Sequence, residues 1–253
     1  DVAELRVIEG EIPKDIDGIY LRNTENQVHQ PLGRHHPFDG DAMIHQVNIS
    51  GGKASYRNRF VRTHCFEAEQ IAGQSLWGGL MDPAGTSKRP GFGAHGGLKD
   101  TGSTDIIVHA GTAYATLYQC GEAWMLDPVT LGSRGKAPWV PLDGISAHPK
   151  VDEGTGEMMF FNYSKYAPFM HYGVVDREGR LEVGRLPLSE PAARLPARLH
   201  PAVRADRRAL GGGRRPRSVR LRYALDAEDE GDIDLQAHEE PASRSAPARP
   251  LQT

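Results

Sequence analysis

From Thr104 to Pro187 the chain is a succession of short β-prone segments at nearly even spacing, with a glycine-bearing turn in each hairpin. Thr104–His109 turns through Ala110-Gly111 into Thr112–Gln119, and Glu122–Leu126 is closed by Asp127-Pro128-Val129-Thr130-Leu131-Gly132. A hairpin containing His148 follows, then 169–175, a turn at Asp176-Arg177-Glu178-Gly179, and a strand over 180–187. No amphipathic helix interrupts the series. Strands this short cannot stand alone, so they must pack as a sandwich, a barrel or a propeller. The recurring strand, Asp-x-x-Gly, strand rhythm favours a propeller.

The preceding third is less regular. Residues 5–22 read as a loop ending in a short strand at Ile19-Tyr20-Leu21, and Asn23–Arg34 as a polar connection. His35-His36-Pro37-Phe38-Asp39-Gly40-Asp41 reads as a tight turn, with Asp39 and Asp41 accepting from backbone amides and Gly40 at positive φ. Met43–Ile49, the turn Ser50-Gly51-Gly52-Lys53 and Ala54–Arg62 predict a hairpin. Cys65–Leu80 spaces Phe66, Ile71, Leu76 and Trp77 as a short helix or an irregular loop. The glycine-rich stretch 83–97 lacks the lysine and hydroxyl ending of a phosphate-binding loop.

Composition excludes several classes. A formal net charge of -3 over 253 residues gives no electrostatic footprint for nucleic acid. Cys65 and Cys120 have no paired spacing, which argues against a disulfide framework or zinc knuckle and for thiols in a reducing compartment. No apolar run reaches the length of a membrane span, and no signal peptide is evident. A cytoplasmic protein is expected, compatible with peripheral membrane contact. The chain begins at Asp1 rather than methionine, which points to a start further upstream.

At Pro191 the composition changes. Residues 191–253 hold twelve arginines and no lysine, against eleven arginines and seven lysines in residues 1–190. The later stretch has no Phe, Trp, Met, Cys or Asn, and Tyr223 is its one aromatic. Such a segment buries too little apolar surface to offset its ordering entropy. Residues 1–190 are thus expected to be the folded domain. Residues 191–253 are expected to be a disordered Arg/Ala/Pro tail or the product of an out-of-frame reading.

The stretch with most chemical content is Ser146-Ala147-His148-Pro149-Lys150-Val151-Asp152, followed by Gly154-Thr155-Gly156-Glu157 and Met158-Met159-Phe160-Phe161-Asn162-Tyr163. Pro149 disfavours helical geometry at His148 and predicts an extended residue there. Asp152–Gly156 supplies the turn, and the apolar run after it a buried strand.

Five blocks resemble the carotenoid cleavage oxygenase family, which includes the lignostilbene dioxygenases. They are Gly18–Asn23, His36–His45, Tyr56–Thr63, Leu126–Leu131 and Ser146–Asp152, in family order. The resemblance implies the N-terminal blades of a seven-bladed β-propeller, and a non-haem Fe(II) held by four histidines on its axis. It implies cleavage of a carbon–carbon double bond of a carotenoid, apocarotenoid or stilbene by O2 to give two carbonyl products, the alkene arriving through an apolar tunnel. His148 matches the first iron ligand, and neutral imidazole nitrogens suit Fe(II). His45 lies in a block that carries no ligand. Gln119 stands where the family has a carboxylate that orients a ligand imidazole. Tyr118 stands where stilbene-cleaving members carry a lysine that meets the substrate phenol, and a tyrosine hydroxyl can do the same. No residue is assigned a catalytic role beyond these.

The family's second ligand, in a His-Asp-Phe motif, is missing. Leu195-Pro196-Ala197-Arg198-Leu199-His200-Pro201 stands in that region. The codons CTG CCT GCA CGA CTT CAC CC are one way to encode it, and read one base later that string gives Cys-Leu-His-Asp-Phe-Thr. A codon choice for Asp206-Arg207-Arg208 can hide Ile-Val-Val in the same way. A frameshift near residue 190 explains the composition break and the lost motif together. His200 and His238 lack a strand pattern that would aim them at an axis. The alternative reading is a metal-free, propeller-like binding module with a basic disordered tail. As it stands, with one ligand, the chain is expected to be inactive and to hold iron poorly.

Overall fold

The computed structural model describes residues 1–83, 85–91, 98–141, 144–163, 170–187, 219–225 and 229–235. They fall into two compact units, residues 1–4 with 13–194 and residues 5–12 with 195–253. The first strand, β1 (Arg6–Glu9), belongs to the second unit. The first unit then runs through β2 (Gly18–Asn26), β3 (Asp41–Ser50), β4 (Lys53–Phe60), helix α1 (His64–Ala72), β5 (Asp105–His109), β6 (Thr112–Thr116) and β7 (Trp124–Leu126). It continues with β8 (Ser133–Lys136), β9 (Lys150–Val151), β10 (Met158–Tyr163), β11 (Met170–Val175) and β12 (Leu181–Pro187). The second unit is completed by β13 (Val219–Leu225) and β14 (Asp229–Leu235).

Three antiparallel meanders make up the first unit: β2-β3-β4, β5-β6-β7-β8 and β9-β10-β11-β12. The predicted hairpins are present. Ser50 pairs with Lys53 across Gly51 and Gly52, both at positive φ, and His109 pairs with Thr112 across Ala110 and Gly111, also both positive. Two consecutive positive φ values are the two-residue hairpin solution that matches strand twist. Three later hairpins share one device. Oδ1 of Asp127 accepts from Val129 and Thr130, Oδ1 of Asp152 from Gly154 and Thr155, and Oδ1 of Asp176 from Glu178 and Arg180. This is the physical content of the aspartate-glycine rhythm in the sequence.

The middle sheet packs on both faces. Ala113, Ala115, Trp124 and Leu126 meet Ala42, Ile44 and Val61 of the first sheet and its edge. Tyr114 and Ala123, on the opposite face, meet Met158, Phe160 and Val175 of the third, with Trp139 and Ile145 between. The alanines of β6 let adjacent sheets approach, and the period of two puts successive residues into different cores. Sheets stacked face to face in chain order are consecutive blades of a partial β-propeller.

Several local expectations are corrected. Asn23–Asn26 is not a connection. It extends β2 in continuous register, Asn23 opposite Ile44 and Asn26 opposite Asp41, because pairing with β3 overrides its polar composition. Pro37–Asp39 is a single 3-10 turn, and Asp39 bonds the amides of His36 and Leu80 as a turn aspartate should. Gly40, however, has φ -68, and a Cβ there would stand 2.5 Å from the Asn26 nitrogen. That glycine serves close approach rather than a left-handed backbone. The ambiguous 65–80 stretch begins as a helix, capped by Thr63 Oγ1 accepting from Phe66 and closed by Gly73 at φ 63. β6 ends at Thr116, three residues before the predicted Gln119, and β8 was not foreseen.

In the second unit, β13 and β14 form a hairpin with β1 alongside. Strands β13 and β14 lie inside 191–253, where no strand pattern was expected. The rest of that stretch, including Leu195–Pro201, His200 and His238, lies outside the described residues.

Candidate metal and substrate site

After β6 the chain makes a tight turn over 117–120 that carries both Tyr118 and Gln119. Its shape is fixed from three sides. The Tyr118 amide donates to Thr104 Oγ1 at 3.0 Å, and the Tyr118 carbonyl accepts from Tyr163 Oη at 2.5 Å and Ser146 Oγ at 3.4 Å. Cys120 takes φ 59, its amide donates to the Leu117 carbonyl, and the Ile145 amide donates to the Gly121 carbonyl at 2.9 Å. Gly144, at φ 73, has no room for a side chain: a Cβ would stand 2.4 Å from the Cys120 oxygen.

Asp100 locks the far side of the turn. It is fully buried and accepts from the amides of Gly102 (3.2 Å) and Glu122 (2.8 Å) and from Trp124 Nε1 (3.1 Å). Burial pushes its carboxyl up to about 6, against the pull of these donors.

Tyr118 and Gln119 both line a small cavity of about 50 Å³, together with Phe38, Trp77, Leu117 and Lys99. The Phe38 and Tyr118 rings meet edge to face with centroids 5.6 Å apart. One wall is a buried ionic cluster that sequence reading missed. Lys99 Nζ lies 2.9 and 3.0 Å from the two oxygens of Asp41 and 2.7 Å from Glu69 Oε2, while Glu69 Oε1 accepts from the Leu76 amide. Burial pushes the Asp41 carboxyl up although Lys99 pulls it down. Burial alone would lower the Lys99 ammonium, but Asp41 and Glu69 together raise it. The only sequence signal was Asp41 itself, an acid opening a strand whose next residues are apolar.

His148 is not on this cavity. Its φ is 66, left-handed rather than the extended geometry predicted from Pro149, because its neighbours are fixed on both sides. The Ser146 amide is bonded to Phe161 O at 2.7 Å, and Lys150 is paired with Met159. The imidazole is 61% exposed and its Nδ1 lies 3.3 Å from Asp105 Oδ2. The histidines that line the cavity with Gln119 are His29 and His35, not His148. The two residues that the sequence linked to a common site are therefore brought together with Tyr118 in one case and held apart in the other.

His45 has both ring nitrogens engaged, with Tyr56 Oη at 2.5 Å and Thr24 Oγ1 at 2.9 Å, and burial lowers its pKa. It ties β2, β3 and β4 together and has no nitrogen left for a metal. Cys65 and Cys120 are free, buried thiols, both pushed up by burial. Among the described residues no three His, Cys, Asp or Glu side chains converge as a metal site. In chemical type His148 suits Fe(II), but it is one donor, so the described residues do not by themselves make a four-imidazole site. No described helix is long and apolar enough to cross a membrane.

Consecutive antiparallel blades, with an exposed histidine beside the strand that opens the third, define part of a β-propeller protein. Residues 1–203 match the family described as retinal pigment epithelial membrane protein. The chain belongs to this family, the carotenoid oxygenases. It is 35% identical over 190 residues to isoeugenol monooxygenase of Pseudomonas nitroreducens, covering 72% of this chain and 38% of that protein. It is 31% identical over 171 residues to lignostilbene-alpha,beta-dioxygenase isozyme III of Sphingomonas paucimobilis, covering 65% and 33%. Among solved structures it resembles the lignostilbene dioxygenase of Pseudomonas brassicacearum, with a TM-score of 0.61 and 27% identity over 71% of this chain and 38% of that one. It likewise resembles a variant of Synechocystis apocarotenoid oxygenase, with a TM-score of 0.57 and 25% identity over 73% and 42%. The chain thus spans well under half the length of these relatives.

Proposed function

We propose that this chain is the N-terminal part of a non-haem Fe(II)-dependent oxygenase that cleaves a carbon–carbon double bond with O2. The products are two carbonyl compounds. The observation that carries the reading is the family match over residues 1–203, a span that contains His148. His148 would be one of the iron ligands. The iron would supply O2 activation, while the residues of this chain would bind the alkene and shape its approach.

The turn over 117–120 narrows the substrate. Tyr118 presents a phenol at the cavity, its ring held against Phe38, and Lys99 with its two carboxylates gives the wall a polar end. A polar end of this kind suits the hydroxyl of a phenolic alkene better than the end of a pure hydrocarbon chain. Stilbenes and related phenolic alkenes are therefore the favoured substrates, with apocarotenoids and carotenoids the alternatives. Gln119, on the same turn, would accept a hydrogen bond from a ligand imidazole contributed by a later part of the parent protein.

Residues 191–253 are proposed to be read out of frame, which removes the motif expected near Leu195–His200. Sequencing the DNA around the codon for Glu190, then expressing the corrected gene and assaying alkene scission with Fe(II) and O2, tests both statements. An unaltered reading frame together with a full product that neither holds iron nor cleaves a phenolic alkene would end the proposal.

One finding favours a second reading. Among the described residues His148 is the one histidine in a ligand block, and no three His, Cys, Asp or Glu side chains converge. A metal-free binding module with a basic tail would bind an acidic polymer strongly, lose that binding as salt rises, and contain no iron.

A further inference from the structure

We propose that Asp105 is the positioning residue for His148, holding the imidazole proton on Nδ1 and leaving Nε2 as the ring's electron-pair donor. The meaning of this for iron rests on the function proposed above; the geometry and its test do not.

Asp105 opens β5, paired with Thr116 of β6. Its carbonyl accepts from the Asn23 side chain at 3.0 Å, which ties it to β2. Its Oδ1 accepts from the Ile106 amide at 2.9 Å. One carboxylate oxygen is thereby turned onto the backbone, and the other, Oδ2, is the atom 3.3 Å from His148 Nδ1. From the other side, the left-handed φ of His148 sends its side chain off the Ser146–Lys150 segment toward this carboxylate. A non-glycine residue with φ 66 just before a proline persists only where surrounding bonds over-determine it, and bonds two residues away on each side do so here.

The chemistry follows from which nitrogen faces the acid. A carboxylate only accepts, so at 3.3 Å it favours the neutral imidazole that turns an N–H rather than a lone pair toward it. That leaves the lone pair on Nε2, which points away from Asp105. A partner of this kind fixes tautomer and ring orientation and makes the remaining nitrogen a better donor. The family position assigned to such a task by sequence was Gln119, but that residue lines the cavity instead. Asp105 gives this histidine its own carboxylate, from the neighbouring sheet. Both groups are partly exposed, so the pair contributes little to stability. Selecting between two tautomers of near-equal energy needs only a small bias.

The test reads the tautomer directly, without metal. The 253-residue chain is labelled with 15N-histidine, and long-range proton–nitrogen correlations are recorded well above the ionisation range of imidazole. The His148 signals are identified by their loss in His148→Gln. The expected result is a majority of Nδ1–H at His148 in the parent chain. Asp105→Asn keeps shape but removes the charge and should lower the Nδ1–H to Nε2–H ratio at least twofold, while Asp105→Ala should return the ring to the Nε2–H form usual for an unpartnered imidazole. An Nε2–H majority in the parent chain, or one ratio in the parent and Asp105→Asn, overturns the proposal. Should Asp105→Ala fail to fold, the Asp105→Asn ratio decides alone. Iron content of the corrected full-length protein is measured separately. Nδ1–H at His148 in a protein that takes up no iron would leave the orientation standing and remove the oxygenase reading.

Discussion

Lys99→Met is the sharpest test of how the cavity wall is held. The ammonium is 13% exposed, and its carboxylate partners Asp41 and Glu69 are 3% and 2% exposed. Methionine keeps most of the volume but strands two buried acids beside each other. Breaking a buried ion pair from one side costs about 3–5 kcal/mol, since the orphaned charge keeps its desolvation penalty. For a folded unit of this size each kcal/mol lowers Tm by about 2–4 °C, so a fall of roughly 6–20 °C is expected. The loss must also depend on pH. Burial already raises the Asp41 carboxyl, and Lys99 is the strongest influence lowering it. A carboxyl whose folded pKa exceeds its unfolded value costs stability while it is charged, and that cost is relieved as pH falls through the folded pKa. Without Lys99 this cost grows, so the variant should lose most at about pH 8 and less at about pH 5. Urea unfolding followed by circular dichroism at both values measures it. A loss below about 1 kcal/mol near pH 8, or an equal loss at both, would refute the buried-cluster argument. Adding Asp41→Asn to Lys99→Met should recover part of the loss, because the two sites are in contact and not additive.

Other expectations follow from the same geometry. Asp100 titrates near 6 in the folded protein against 3.8 for an ordinary aspartate, so its ionisation should cost about 3 kcal/mol between pH 4 and pH 7. The stability advantage of the parent over Asp100→Asn should therefore shrink as pH rises through that window, and an advantage that grows would contradict the burial argument. Gly144→Ala forces a Cβ into the Cys120 carbonyl at a positive φ and should destabilise by about 2 kcal/mol or more, measured by thermal melting. Tyr118→Phe removes the hydroxyl of a residue that lines the cavity and should leave Tm unchanged. On the function proposed above, the same change in the full-length protein should raise KM for a phenolic alkene by about 2–10-fold, the value of one hydrogen bond, with kcat little altered. Equal KM for phenolic and methylated substrates in the parent would remove Tyr118 from substrate recognition.

The sequence alone determined the class of fold. Strand length, the period of two and the turn aspartates are local properties, and Asp127, Asp152 and Asp176 each close a hairpin with their own next few residues. The His148 block was legible for the same reason, being contiguous. Tertiary structure decided what depends on distant partners. Asn23–Asn26 became strand because β3 offered it a complete ladder, and Gly40 was required by the approach of Asn26 rather than by its own φ. The Lys99, Asp41 and Glu69 cluster joins residues tens of positions apart, and no periodicity marks charges that are buried only because three segments converge. The pairing of His148 with Asp105 is of this kind too. Its components are common residues, and its direction is set by a left-handed backbone that the chain adopts because the strands on either side leave it no other course.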